Sequence, residues 1–522
     1  MSETISLAGQ IGRASAVIMI WSIVDKILAI GKEMLTAQRF GVSAALDVFN
    51  VAQAFPGFLM LFFSGALLSA FVPLYLEWRN RSSSQEADSH ATWLLFSTTA
   101  FFAVLALICF FFSPVIIQLT GYGFGPKEKQ LGIMMERLLS LLVFIDGAGI
   151  LFRGILHARK MFLHLYVAPI FVNLTIIFFL YYDMGLDIYV LVWGFLIGTL
   201  LKIIYMGVAL RHEGFSFRTP IPFDRGKMSV LWYLALPLLG SELIANSNLL
   251  IDQAMATQLP AGSVSTLRYA FRIYTLPIQV VIIAISSAIF PFISEEVAAG
   301  RHENLQNIFK YALIFLGFLT IPITCLVVLF SEDIVILLLK RGAFDLHAAR
   351  QTAQTLVYYS LGLFFYAYTF INGTFFVALK NTKVLLYMGI VSISLNVFLN
   401  FLFMHFFGVQ GIALSTSVTM GIISIWFIFL LKKNLGITNL SRKFSSFSRM
   451  VLAAVGMFGT ALIVVKLFEF ASISRLISVP VAAIASSLCY LGIIWVFRTA
   501  DLDTCITVLT NKIAMWKRAR FK

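Results

Sequence analysis

The sequence predicts an all-α fold: a polytopic membrane bundle of about fourteen transmembrane helices, two six-helix lobes in parallel repeat plus two carboxyl-terminal helices. Three observations predict it. Hydrophobic residues make up 60% of the 522-residue chain and charged residues 12%, with a mean hydropathy of +0.90, far from the near-even mix of a water-soluble chain. Apolar runs long enough to cross about 30 Å of hydrocarbon recur along the whole chain, divided by short polar or Gly- and Pro-marked breaks. Landmarks also repeat at a shift of about 220 residues, which is the mark of an internal duplication.

The runs fall near 14–38, 45–76, 92–120, 131–158, 161–182 and 186–212, which gives a first lobe over 1–212. A basic linker covers 213–229, and six further runs, near 230–258, 264–296, 308–338, 348–378, 383–405 and 408–432, give a second lobe over 230–433. Two more, near 446–469 and 474–497, occupy 434–500, and a basic tail follows over 501–522. Across the shift Pro56 is echoed by Pro277 and Pro73 by Pro291. Ala158-Arg159-Lys160 is echoed by Ala378-Leu379-Lys380, and Asp25 by Asp252. An even shift of six spans keeps both halves in one orientation, so a central cleft that opens alternately by rocking is expected. Pro56 and Pro277 are its candidate flexible points, or else static kinks, because proline deletes a helix hydrogen bond.

Charge sets the expected orientation. With both termini in the cytoplasm, loops on that side collect roughly two dozen Lys and Arg against about half a dozen on the other. Arg79, Arg81, Arg159, Lys160, Arg211, Arg218, Arg225, Lys227, Arg442 and Lys443 are among them. The formal charge of +14 is thereby explained by topology, and nucleic acid is not an expected partner. The tail, Asp501 to Lys522, ends in Lys517, Arg518, Arg520 and Lys522 and suits contact with anionic membrane lipid.

Several function classes are disfavoured. Cys109, Cys325, Cys489 and Cys505 are scattered, with no disulfide framework or metal spacing, and Met1 to Arg13 lacks the pattern of a cleaved signal peptide. No loop exceeds about twenty residues, which leaves no room for a folded catalytic domain outside the membrane. HExxH, Walker, GxSxG and CxxC patterns do not occur, so an enzyme or an ATP-driven pump is not expected.

The chemistry is expected where charge sits at membrane depth. Asp25-Lys26 and Lys32-Glu33 lie in the first span, seven residues apart, which places Asp25 over Lys32 and Lys26 over Glu33 on one face. Such groups are costly in lipid and normally face a bundle interior or a watery cavity. A polar translocation path is the functional reading. The alternative is that Lys32 and Glu33 snorkel from the helix end while Asp25 and Lys26 form a structural pair. Asp47, Asp252, Arg268, Arg272, Asn396, Asn400 and Thr416 are the other polar residues at depth worth naming. Arg268 and Arg272 are one turn apart, and an arginine fork binds phosphate in bidentate fashion, although Arg272 alone is the alternative. Asn396 and Asn400 are also one turn apart and, with Asp252, offer the oxygens a hard cation needs, or else they bond to neighbouring helices.

At these residues the chain resembles the MurJ/MviN family of lipid II flippases, within the superfamily of multidrug, oligosaccharidyl-lipid and polysaccharide exporters. The resemblance runs over most of 5–435. It is carried by Asp47-Val48-Phe49-Asn50-Val51-Ala52 with Pro56, Ser69-Ala70-Phe71-Val72-Pro73 and Asn248-Leu249-Leu250-Ile251-Asp252. Leu259-Pro260-Ala261-Gly262-Ser263-Val264-Ser265, Tyr269-Ala270-Phe271-Arg272, Leu276-Pro277 and Arg341-Gly342-Ala343-Phe344 complete it.

The resemblance implies a carrier of undecaprenyl-pyrophosphate-linked peptidoglycan precursor with a cationic cavity. Lys26, Lys32 and Arg272 would meet the pyrophosphate, with Asp25, Glu33 and Asp47 as counter-charges. A sodium ion would fall on Asp252, Asn396, Asn400 and Thr416. Cell-wall synthesis proteins are the implied protein partners, and membrane lipids surround the bundle. The chain departs from the family after Pro56: it has Phe58-Leu59-Met60-Leu61-Phe62-Phe63-Ser64 where adjacent arginines and a Glu are usual, and lysine stands at two arginine positions. A lysine is a point charge without the planar fork. Another polyprenyl-pyrophosphate-linked oligosaccharide therefore stays open as cargo, as does a non-transporting scaffold for wall synthesis.

Overall fold

All of the apolar stretches named above are helical in the computed structural model, which describes residues 2–81, 83–182, 185–217, 225–436 and 444–497. The helices are α1 (Ser2–Phe40), α2 (Ala44–Arg81), α3 (Ser84–Thr120), α4 (Pro126–Ala158), α5 (Phe162–Tyr181) and α6 (Tyr189–His212). They continue as α7 (Arg225–Ala256), α8 (Ser263–Pro277), α9 (Ile283–Ala298), α10 (His302–Leu329), α11 (Ser331–Leu339) and α12 (Leu346–Ser360). The last are α13 (Leu363–Ala378), α14 (Thr382–Phe407), α15 (Val409–Asn434), α16 (Phe444–Phe470) and α17 (Arg475–Val496). No strand occurs among the described residues. The all-α membrane bundle expected from the sequence is the observed fold. Among the described residues ten helices are individually long and apolar enough to cross a bilayer, and α12 with α13, bent by 44°, makes an eleventh if the pair is one span.

Helices outnumber the predicted spans because the eighth, ninth and tenth stretches are each broken. Pro277 closes α8 and a π-helical turn, Ile278–Ile282, follows before α9. Proline has no N–H and its ring crowds the carbonyl of Ile273, and the wider π turn absorbs that misfit. Pro56 and Pro73, in contrast, lie inside an unbroken α2. Phe330 separates α10 from α11, and Leu361-Gly362 separates α12 from α13.

Two compact units result. The first holds Met1–Ser265 and the short segment Leu338–Asp345. Within it α4 packs on α2, α3 and α6, α5 on α1 and α6, and α7 on α2 and α3. Phe63, Phe71, Tyr75, Phe102, Val143 and Leu151 fill the middle. Leu338–Asp345 joins this unit through the end of α1, where Ala343 N–H donates to Gln38 O at 2.8 Å. Gly41 (φ 57°) and Gly342 (φ 51°) make the approach possible: a Cβ on Gly41 would meet the carbonyl oxygen of Ala343, and one on Gly342 that of Gln38.

The second unit holds Thr266–Leu337 and the chain from Leu346 onward. There α13 packs on α9, α10 and α15, α14 and α12 on α15, and α16 on α10 and α17. One corner is built alike in the two halves. Lys160 (φ 60°) follows α4 and Lys380 (φ 56°) follows α13, both left-handed. Each ends its helix with two reversed hydrogen bonds: Lys160 N–H to His157 O and Met161 N–H to Leu156 O, and Lys380 N–H to Val377 O and Asn381 N–H to Phe376 O. These are the repeated tripeptides of the sequence.

At the Lys160 corner the first unit is knotted. Arg159 donates through Nη2 to both carboxylate oxygens of Asp88 at 2.6 and 2.7 Å and through Nε to Tyr75 Oη at 3.0 Å. Asp88 also accepts from Tyr75 Oη at 2.8 Å and from Ser216 N–H at 3.2 Å, and the guanidinium lies 5.1 Å from the centre of the Phe215 ring. Asp88 is buried and the Arg159 side chain is 9% exposed, so breaking the pair strands a charge away from water. Arg159→Ala is expected to cost about 3 to 5 kcal/mol. Thermal unfolding of the purified protein in detergent checks this, and an unchanged Tm would refute it. Arg218, Arg442, Lys443 and the basic tail Asp501 to Lys522 lie outside the described residues.

Candidate substrate path

In the first unit the charged pairs of α1 bond to their neighbours in sequence rather than along the helix. Lys26 Nζ lies 3.7 Å from Asp25 Oδ2, and Lys32 Nζ lies 3.4 Å from Glu33 Oε1. Seven residues rise about 10 Å, which is why the partners expected to stack along the helix cannot touch. What the spacing does achieve is a shared direction. Asp25 accepts a hydrogen bond at 2.9 Å from Asn173 Nδ2 on α5, and Lys32 Nζ sits 5.5 Å from the centre of the Phe195 ring on α6. Phe195 in turn meets Phe49 of α2, ring centres 6.0 Å apart. Lys32 is only 7% exposed, so it does not snorkel to an open helix end. Lys26 is half exposed.

Asp47, in the first turn of α2, is also buried. Its Oδ2 accepts from Gly262 N–H at 2.6 Å, and its Oδ1 from Ser265 N–H at 2.7 Å and Ser265 Oγ at 2.5 Å. Asn50, one turn on, donates to Ser265 Oγ at 3.3 Å. The carboxylate therefore caps the first turn of α8, where free N–H groups and the helix dipole favour negative charge. Gly262 (φ 92°) lets that turn come close, since a Cβ there would stand 2.7 Å from Val42 O.

Asp252, on α7, is 3% exposed and belongs to the first unit. The other polar candidates belong to the second unit and are described there. Arg268 and Arg272 lie on α8, both half-buried. Asn396 and Asn400 on α14 and Thr416 on α15 are buried. Asn400 Nδ2 donates to Asn396 Oδ1 at 3.1 Å, Ser415 Oγ donates to Asn400 Oδ1, and Thr416 Oγ1 donates to Ile412 O at 3.2 Å. Ser415 is a member that sequence reasoning missed.

A charged cluster in the first unit was missed as well. Lys202 of α6 donates to Asp146 Oδ1 of α4 at 2.5 Å, and Arg153 Nη2 stands 4.0 Å from the same oxygen. The signal was present: two cations and an anion inside the fourth and sixth apolar runs carry the same desolvation cost as those of α1.

A buried lysine on α1 and two half-buried cations on α4 and α6 thus place positive charge at membrane depth within the first unit, the kind of lining that suits the passage of an anion. A multi-pass membrane transporter is the class that this fold defines. Among solved structures, an inward-facing multidrug resistance MATE family transporter of the MOP superfamily shares the fold, with a TM-score of 0.69 at 14% identity over 81% of this chain and 98% of that one. "Lipid II flippase MurJ, inward closed conformation" superposes with a TM-score of 0.78 at 25% identity, covering 92% of this chain and 98% of the other. The family model "Lipid II flippase MurJ" matches residues 36–480, and the chain belongs to that family. A "Probable lipid II flippase MurJ" of Rhizobium tropici is 27% identical over 407 residues, 76% of each chain. One of Treponema pallidum is 25% identical over 441 residues, 82% of each.

Proposed function

We propose that this chain moves lipid II, the undecaprenyl-pyrophosphate-linked precursor of peptidoglycan, from the inner to the outer leaflet of the bacterial cytoplasmic membrane by alternating access. The observation that carries the reading is Lys32, an ammonium group kept inside a membrane helix, 7% exposed and held against Phe195 in a chain of this family. Lys26, Lys32 and Arg272 meet the pyrophosphate. Asp25 and Glu33 hold the lysines between passages, and the polyprenyl tail stays in lipid. Both termini lie in the cytoplasm, which puts the α1–α2 turn at the outer face. The cargo is carried, not chemically altered, and wall-synthesis proteins are its suppliers and receivers.

With the interior negative, outward transfer of two negative charges gains about 4 to 5 kcal/mol per 100 mV. A sodium ion is assigned to Asp252, Asn396, Asn400 and Thr416, whose oxygens suit a hard cation. Asp252→Asn is expected to remove any sodium dependence of transport while leaving headgroup affinity within about twofold. Transport that responds to sodium equally in both proteins would refute that assignment.

Expression of the chain in cells depleted of their own lipid II flippase tests the main reading. Restored growth, with precursor again open to an externally added cleaving enzyme, is the expected result. Failure to rescue, with the protein present in the membrane, would refute it. One observation favours a second reading, transport of another polyprenyl-pyrophosphate-linked glycan. Around Pro56 the rings of Phe55, Phe58 and Phe62 stack in sequence, with centres 6.5 and 6.1 Å apart, and the last two lie in the stretch where the family's arginines were expected.

A further inference from the structure

The cluster on α4 and α6 is short of acceptors. Asp146 is one carboxylate facing two cations, and it bonds directly only to Lys202. Among the described residues, Arg153 Nε and Nη2 are buried with no hydrogen-bond acceptor. Those two nitrogens form one edge of the guanidinium, the edge that grips a carboxylate or phosphate with two parallel hydrogen bonds. An empty fork beside a shared carboxylate leaves one net positive charge and at least two unused donors inside the first unit. Leaving buried donors unmade is costly, and an oxyanion is the ligand whose paired oxygens match this fork.

Its position fits a path. Phe195, which touches Lys32, and Lys202 are seven residues apart on one face of α6, so Lys202 lies about 10 Å further along that face. Asp146 and Arg153 follow the same direction on α4, which ends at the Arg159 knot. Lys32 and the Lys202–Arg153 pair thus mark two successive cationic steps within the first unit.

We propose that Arg153 and Lys202, with Asp146 as their exchangeable counter-ion, form a second oxyanion subsite that receives the pyrophosphate of a polyprenyl-linked substrate before it reaches Lys32. The assignment rests on the flippase reading and adds an entry step to it. On arrival the anion takes the Arg153 fork and competes with Asp146 for Lys202. Asp146 re-forms its bond when the anion moves on.

The test uses the full-length protein in nanodiscs, with farnesyl pyrophosphate and inorganic pyrophosphate as probes and affinity measured by titration. Arg153→Gln is expected to weaken farnesyl pyrophosphate binding about tenfold or more, and Arg153→Lys, which keeps charge but not the fork, about three- to fivefold. Asp146→Asn is expected to tighten it about threefold or more by removing the competing carboxylate. If both Arg153 variants remain folded and bind within about twofold of the parent, the subsite is refuted and the cluster is structural. The cluster is likewise structural if Arg153→Gln lowers only the Tm while Arg153→Lys binds as the parent does. Inorganic pyrophosphate binding as tightly as the prenyl compound would overturn the lipid-linked assignment. Should the parent protein bind neither probe, the flippase reading falls together with this one, whereas parent binding that is insensitive to Arg153 and Asp146 removes the subsite alone.

Discussion

Asp47→Ala is expected to abolish precursor movement while leaving the protein inserted in the membrane. The side chain accepts three hydrogen bonds, from Gly262 N–H, Ser265 N–H and Ser265 Oγ, and is 2% exposed. Hydrogen bonds to a charged group contribute about 1.5 to 3 kcal/mol each, and the two backbone donors left behind are buried and cost about 1 to 3 kcal/mol apiece. The sum is not additive, yet about 3 to 6 kcal/mol against the described arrangement shifts its population more than a hundredfold. A carrier that cannot hold one of its end states does not cycle. Two measurements check this. Externally accessible lipid-linked precursor should fall at least about tenfold, and a cysteine placed at Val42 should react faster with a membrane-impermeant maleimide as the α8 cap loosens. Full transport by Asp47→Ala would remove the cap from the mechanism. Asp47→Asn, which keeps the shape and loses the charge, should fall between the two.

Lys32→Ala and Arg272→Ala form the second large expectation. Each should lower precursor movement at least about tenfold at unchanged membrane abundance. Lys32 is buried and in contact with an aromatic face, so its loss removes the proposed phosphate contact and leaves Glu33 without its 3.4 Å partner. Lys32→Arg should retain most activity, because a planar cation can hold the place over Phe195 and adds a fork for phosphate. Arg272 lies on the half-buried face of α8, and Arg272→Lys should recover only part of the loss. Unchanged transport in both alanine variants would eliminate the proposed headgroup site.

Much of the fold could be read from the chain because lipid imposes a simple rule: a spanning segment must satisfy its own backbone and present apolar side chains. Every predicted run is helical, and the repeated tripeptides return as the same left-handed corner at Lys160 and Lys380. Helix breaks were harder to foresee. Pro277 ends α8 while Pro56 does not end α2, and the difference depends on packing that periodicity does not encode. In the first helix, spacing identified the direction in which Asp25 and Lys32 point but not their partners, since Asn173 and Phe195 come from helices more than a hundred residues away. Asp146, Arg153 and Lys202 passed unnoticed because their charges are divided between two separate apolar runs, and only the α4–α6 contact brings them together. Asp47 was legible as a carboxylate at membrane depth, and it is buried and hydrogen-bonded. Its role as a cap was not, because its donors lie beyond residue 260.

The Arg159 knot has a mechanical consequence. Tyr75, Asp88, Arg159 and Ser216 come from α2, α3, the end of α4 and the turn after α6, and together they clamp one end of the first unit. Clamped helices act as levers about that end. The 33 residues of α4 reach about 50 Å from the clamp, so a tilt of about 5° carries Pro126 about 4 Å sideways. A change too small to disturb a single bond at Arg159 is therefore enough to part a side-chain contact at the opposite end. Stiffness at the clamp is what gives the far end of α4 its travel.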